Sequence, residues 1–127
     1  MILTKPMKRK IMEVNFYEEE NSLIVVPSGK LDTINAPKFG EALLTLLKVP
    51  PHSCLLDLSK VTFLSSSGLQ VLLAGAKTSK KENINFAVFG MNEMLDEVFH
   101  LSGFHHFMHS FKSKEDALVS THDSITN

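Results

Sequence analysis

Apolar and polar positions along this chain fall into short blocks whose period changes repeatedly. Ile11-Met-Glu-Val-Asn-Phe-Tyr17 alternates loosely, as a strand with one wet face does. A polar cluster, Glu18 to Ser22, precedes the apolar run Leu23-Ile-Val-Val26, and the pair predicts a β-hairpin. Ser28-Gly-Lys-Leu-Asp-Thr33 reads as a loop, with Gly29 supplying conformational freedom. A helix is predicted from Asn35, because Asn caps well and Pro37 suits only a first turn. Its apolar positions Phe39, Leu43, Leu46 and Leu47 keep helical spacing, and Pro50-Pro51 stops it.

Ser53-Cys-Leu-Leu-Asp-Leu58 is short, apolar and bounded by breakers, which predicts a buried central strand. Leu69 to Lys81 carries apolar residues at 69, 72, 73 and 76 and is rich in helix formers. Asn85-Phe-Ala-Val-Phe89 predicts a second buried strand. Gly90 and Asn92 then introduce a helix with Met91, Met94, Leu95, Val98 and Phe99 on one side, closed by Gly103. Phe107 to Phe111 reads as a last short strand, and Ser113 opens a capped final helix. Strands alternating with helices need crossover connections. The predicted class is α/β: a mixed, mostly parallel sheet that starts with a hairpin and carries four helices.

Composition narrows the function. With 127 residues, 43% hydrophobic and 21% charged, the chain makes one domain. That unit is expected over residues 11–121, with 1–10 and 122–127 as tails. Thirteen basic residues against fourteen acidic ones, and few aromatics, argue against a nucleic-acid partner. The basic group Lys5, Lys8, Arg9 and Lys10 is read as a solvated tail. A single cysteine, Cys54, cannot form an internal disulfide and suits a reducing compartment. No apolar stretch approaches the roughly 18 residues of a membrane helix, and the start lacks a signal-peptide core. The expected location is the cytoplasm, with no membrane partner.

The chemistry concentrates at Ser65-Ser66-Ser67-Gly68, where strand and loop hand over to a helix. Free N–H groups and the helix dipole make such a junction favourable to an anion. A phosphate on Ser66 would add up to two negative charges there. Serine is also a preferred N-cap, but a cap needs only one. His100, His105, His106 and His109, even with Cys54, match no zinc pattern and are expected at the surface or satisfied. No metal or cofactor is called for. Gly75-Ala-Lys-Thr78 lacks the glycines of a phosphate loop and falls inside a predicted helix. No Gly-x-Ser-x-Gly elbow occurs and no general base accompanies a nucleophile, so enzymatic activity is not expected. Phe104, Phe107, Met108 and Phe111 are read as core.

Three stretches resemble the bacterial anti-sigma factor antagonists, single-domain members of the STAS family. Ser28-Gly-Lys-Leu-Asp32 is similar to the family's Gly-Glu-Leu-Asp loop. Leu55-Leu-Asp-Leu-Ser-Lys-Val-Thr-Phe-Leu-Ser-Ser-Ser-Gly-Leu69 is similar to its central segment, a strand, a loop and Asp-Ser-Ser/Thr-Gly-Leu. Phe99-His-Leu-Ser-Gly-Phe104 is similar to its Phe-x-x-Ser-Gly-Leu. The resemblance implies that Ser66 is the phosphorylated residue and that Asp32, Ser65, Ser67, Gly68 and Leu69 surround it on a partner-binding face. For Asp32, a plain turn or capping residue is the equal alternative. The implied partners are an anti-sigma factor that is itself a serine kinase and a phosphoserine phosphatase. The unphosphorylated form would bind the anti-sigma factor, and phosphate would block binding. One position departs from the pattern: Ser65 stands where the family has aspartate. That exchange supports a second reading, an unphosphorylated STAS scaffold or accessory subunit of a signalling or transport complex.

Overall fold

Burial along the second strand shows how the molecule is layered. In the computed structural model, which describes residues 13–48 and 51–126, β2 (Ser22–Leu31) is buried at every position from Ser22 through Pro27. A strand with no wet side must have both faces covered. Leu23 and Val25 point into one core with Cys54, Leu56 and Val88. Ile24 and Val26 point into a second with Leu55, Ala87 and Phe89. The two cores lie on opposite sides of one sheet, as a period of two requires.

β1 (Glu13–Glu19) runs antiparallel to β2. The pairing Glu19↔Ser22 leaves a two-residue turn, Glu20-Asn21, with φ of 52° and 65°. Two positive φ values make the turn whose twist matches a hairpin. β3 (Ser53–Asp57), β5 (Asn85–Phe89) and β6 (His109–Phe111) then add in parallel, giving the order β1-β2-β3-β5-β6. β6 is shorter than the sequence predicts, because Phe104–His106 forms a 3-10 turn ahead of it.

α1 (Ala36–Leu46), α2 (Ser66–Lys81) and α3 (Glu93–Leu101) follow β2, β4 and β5 in sequence. The chain steps across the sheet in one direction, so right-handed crossovers land on the same side. Phe39 and Leu43 of α1, Leu72 of α2, and Leu95 and Phe99 of α3 accordingly share the first core. Among the described residues, α4 (Lys114–Thr126) alone covers the second, through Ala117 and Leu118. Lys114 pins the start of α4 to β1: its Nζ lies 2.9 Å from Glu19 Oε1 and 5.5 Å above the Tyr17 ring. These contacts hold the Lys114 ammonium above its ordinary pKa, the Glu19 bond first.

Sequence and structure differ at other places too. A short strand, β4 (Val61–Leu64), pairs in parallel with the far end of β2 where only a connection was expected. Ser28–Leu31, expected as a loop, is the continuation of β2. Gly29 carries this continuation at φ 102°, beside a register shift, and donates its N–H to the Lys60 carbonyl at 2.9 Å. Phe107, expected in the core, is exposed, as is Met94 of the apolar side expected for the third helix, whereas Met108 is buried and Phe104 and Phe111 pack against the cores. Among the described residues no helix is long and apolar enough to cross a membrane. The basic stretch Lys5 to Lys10 lies outside the described residues.

Candidate functional site

β4 pairs with the far end of β2 across a register shift that leaves Thr62 as the extra residue on β4, and this pairing builds the site. The register Lys30↔Phe63 and Leu31↔Leu64 brings the carboxyl ends of two neighbouring parallel strands level. Asp32 follows one of them and Ser65 the other. Residues 33 positions apart in sequence thus come to adjacent places on the rim of the sheet. Rims at the carboxyl ends of parallel strands are where α/β folds place their functional groups.

Ser65 fastens the junction. It is the N-cap of α2, with extended φ and ψ of −89° and 176°. Its Oγ accepts from the Gly68 N–H at 3.2 Å and donates to the Leu31 carbonyl at 2.9 Å. The Ser65 N–H donates to the same carbonyl at 3.0 Å. Aspartate would fill the capping half of this role, but an ionised carboxylate has no proton to give Leu31. The exchange for serine therefore keeps the cap and adds a bond to the neighbouring strand. Gly68 is obligatory here for space: a Cβ would meet the Leu31 carbonyl oxygen at 2.6 Å and Leu64 Cδ1 at 2.8 Å. The close approach of helix and strand depends on its missing side chain.

Ser66 is the first residue of α2 and is exposed; Ser67 and Leu69 are half-buried, with Leu69 against the core. The Gly68 N–H is used by Ser65 Oγ and the Leu69 N–H by the Ser65 carbonyl. The Ser66 and Ser67 N–H groups have no partner among the described residues, the ordinary condition of a helix start. No acidic residue occupies the first turn, and Lys80 and Lys81 stand at the other end. A helix of 16 residues so arranged presents the positive end of its dipole at Ser66.

Asp32 is a capping residue in this structure. Its Oδ1 accepts from the Ile34 N–H at 3.1 Å and from the Asn35 N–H at 2.9 Å. Asn35 stands at the N-cap of α1, yet its side chain makes no cap bond and donates instead to the Lys30 carbonyl at 2.9 Å. The carboxylate three residues upstream has taken over the local role. Both loops of the rim are thereby held by side chains.

Sequence reasoning missed two rim residues. Ile34, in the loop after Asp32, is 74% exposed, and Phe63, two residues before Ser65 on β4, is 46% exposed. Large apolar side chains in water beside a rigid polar junction are what a protein partner covers. The signal for Phe63 lay inside the central segment, but only the strand pairing shows which way it faces.

The histidines form a separate surface group. His100, His105, His106 and His109 are all exposed; the rings of His100 and His105 stack at 4.8 Å and those of His105 and His106 stand 4.0 Å apart. Loss of solvent around His105, together with the charges of His106 and His100, lowers its pKa from the ordinary value of 6.5. Among the described residues no three His, Cys, Asp or Glu side chains are placed to hold a metal ion.

Comparison with known proteins agrees with this architecture. The anti-sigma-F factor antagonist RsfB of Mycobacterium tuberculosis is 33% identical over 93 residues, 72% of this chain and 74% of that protein. An anti-sigma-B factor antagonist of Staphylococcus epidermidis is 25% identical over 95 residues, 75% of this chain and 82% of the relative. The crystal structure of an anti-sigma factor antagonist from Mycobacterium paratuberculosis superposes with a TM-score of 0.81 at 26% identity, over 87% of this chain and 94% of that one. The sequence profile of the STAS domain matches residues 13–117, nearly all of the described fold. By that match, and by the sheet and helix order that accompanies it, the chain belongs to the STAS domain family.

Proposed function

We propose that this chain is an anti-sigma factor antagonist, a protein-binding switch whose state is set at Ser66. The observation that carries the reading is the exposed Ser66 at the start of α2, on a junction locked from both sides by Ser65 and Gly68. The names of the relatives support it. In the unphosphorylated state the rim formed by Asp32, Ile34, Phe63 and Ser65 to Leu69 docks onto an anti-sigma factor that is also a serine kinase. The kinase transfers phosphate to Ser66 Oγ, and a phosphoserine phosphatase removes it. The setting is the cytoplasm.

The physics of the junction supports such a switch. A phosphate on Ser66 gains from the free N–H groups and the dipole, so the fold keeps its stability. In a closed interface the same dianion must be desolvated beside the apolar Ile34 and Phe63, which opposes docking.

The test uses the full chain and the kinase-type anti-sigma factor of its own host. With ATP, phosphate should appear on Ser66 and be absent from Ser66→Ala. Ser66→Ala should bind the partner, and Ser66→Asp should bind at least about tenfold more weakly, a change of about 1.4 kcal/mol, with an unchanged melting temperature. Undiminished binding by Ser66→Asp, or phosphate confined to another residue, would overturn the reading. A stable complex with another protein that ignores every change at Ser66 would decide for the scaffold role instead.

A further inference from the structure

Two strands along the same rim lies a second feature, which the switch does not use. α3 and the end of β6 enclose a cleft of about 420 Å³, lined by Met91, Glu93, Asp96 and His100 on one side and Ser110, Phe111 and Lys112 on the other. Its floor is the turn at Gly90, whose N–H donates to the Phe111 carbonyl at 3.2 Å. Gly90 sits at φ 80°, and a Cβ there would come within 3.3 Å of both Asp57 Oδ1 and Ser59 Cβ. The floor is therefore fixed by backbone pairing and by a tight approach from below.

The walls carry charges of opposite sign that do not pair across the cleft. Glu93 and Asp96 lie on successive turns of α3, and Asp96 Oδ1 is 3.3 Å from His100 Nδ1. Glu93 and Lys112, which line the same space, form no ion pair with each other; neither they nor the Ser110 hydroxyl have a partner among the described residues. Met91 and Phe111 supply apolar surface in the same lining. A cleft of this size, with Met91 and Phe111 set among charged and polar groups of both signs, is large enough for a small polar molecule. Charges of opposite sign that face one space without pairing suit one molecule charged at both ends.

We infer that the cleft between α3 and β6 binds a small zwitterion, with its ammonium group on Glu93 and Asp96 and its carboxylate on Lys112 and Ser110. The site stands independently of the switch at Ser66, because none of its lining residues belongs to that junction. Ligand binding here fits a module that reads a metabolite as well as a partner.

The test is amide chemical-shift mapping of the full chain, made with a ladder of amino acids from glycine to 6-aminohexanoate and with the standard L-α-amino acids. At about 5 mM, enough to populate a millimolar site, at least one zwitterion should move the amides of Gly90, Glu93, Asp96 and residues 110–112. Binding should peak at one separation of the charges. Matching amines and carboxylates alone should bind roughly tenfold more weakly. Glu93→Gln and Lys112→Met, both at exposed positions, should each weaken binding about as much without changing the rest of the spectrum. No zwitterion moving those amides would overturn the inference. So would an amine that binds as well as the zwitterion, or binding that survives the double variant.

Discussion

Gly68→Ala tests the central geometric claim, that the site depends on a helix pressed against a strand. The new Cβ would stand 2.6 Å from the Leu31 carbonyl oxygen, 2.8 Å from Leu64 Cδ1 and 2.9 Å from Leu31 Cβ. Two of these three neighbours belong to the backbone or the root of a side chain and cannot swing away. That same carbonyl receives both Ser65 bonds, so moving it loosens the cap as well. Overpacking costs about 1–3 kcal/mol, and each weakened hydrogen bond adds about 1. Alanine returns at most about 1 kcal/mol of helix propensity. The net expectation is a loss of about 2–4 kcal/mol, or roughly 10 °C in Tm for a domain of this size. Gly75→Ala is the internal control. Its Cβ would meet only side-chain ends, Leu43 Cδ2 at 2.9 Å and Phe86 Cζ at 3.0 Å, which can rotate aside. Urea denaturation of both variants gives the comparison. If Gly68→Ala matches the parent, or Gly75→Ala is the worse of the two, the reasoning is refuted.

Ser65→Ala removes the cap and the bond to Leu31, and urea denaturation should show a loss of about 1 kcal/mol, with 2 as the upper end. Cys54 is fully buried, and burial pushes its thiol up to about 12; an aromatic disulfide reagent at pH 8 should label it only at the rate of unfolding. His105 holds its proton less well folded than unfolded, so acid favours the unfolded chain. Stability should therefore be intact above about pH 6.5, the unfolded value, and fall as pH drops below it. Tm measured at pH 7.5 and 5.5 should differ less in His105→Gln than in the parent.

Much of this architecture is legible in the chain, because each buried strand is an apolar run between breakers and each helix has a cap or a stop. Ser53–Asp57 and Asn85–Phe89 stand out for that reason. Val61–Leu64 does not. Its burial runs buried, exposed, exposed, buried, without the alternation of a half-buried strand, and only pairing with β2 makes it a strand. Ser28-Gly-Lys reads as loop for a related reason. A positive-φ glycine inside a strand has loop composition and strand pairing, and local sequence cannot separate them. At the site, the serine run and Gly68 announce a helix start, but the claim of Asp32 on the Asn35 N–H is a choice between two good cappers. Ile34 and Phe63 were illegible because exposure of a large apolar residue depends on where neighbouring elements end.

The lone helix α4 also fixes an order of events during synthesis. The chain leaves the ribosome from its amino end, and by Met108 every residue of the first core has been made. The strands present by then also carry Ile24, Val26, Leu55, Ala87 and Phe89, facing the side that α4 has yet to cover. Ala117 and Leu118 emerge later and close that side. For that interval the nascent protein is half wrapped, with a bare apolar sheet face of the kind chaperones bind and aggregates recruit. Any truncation or frameshift ahead of Lys114 would make that interval permanent.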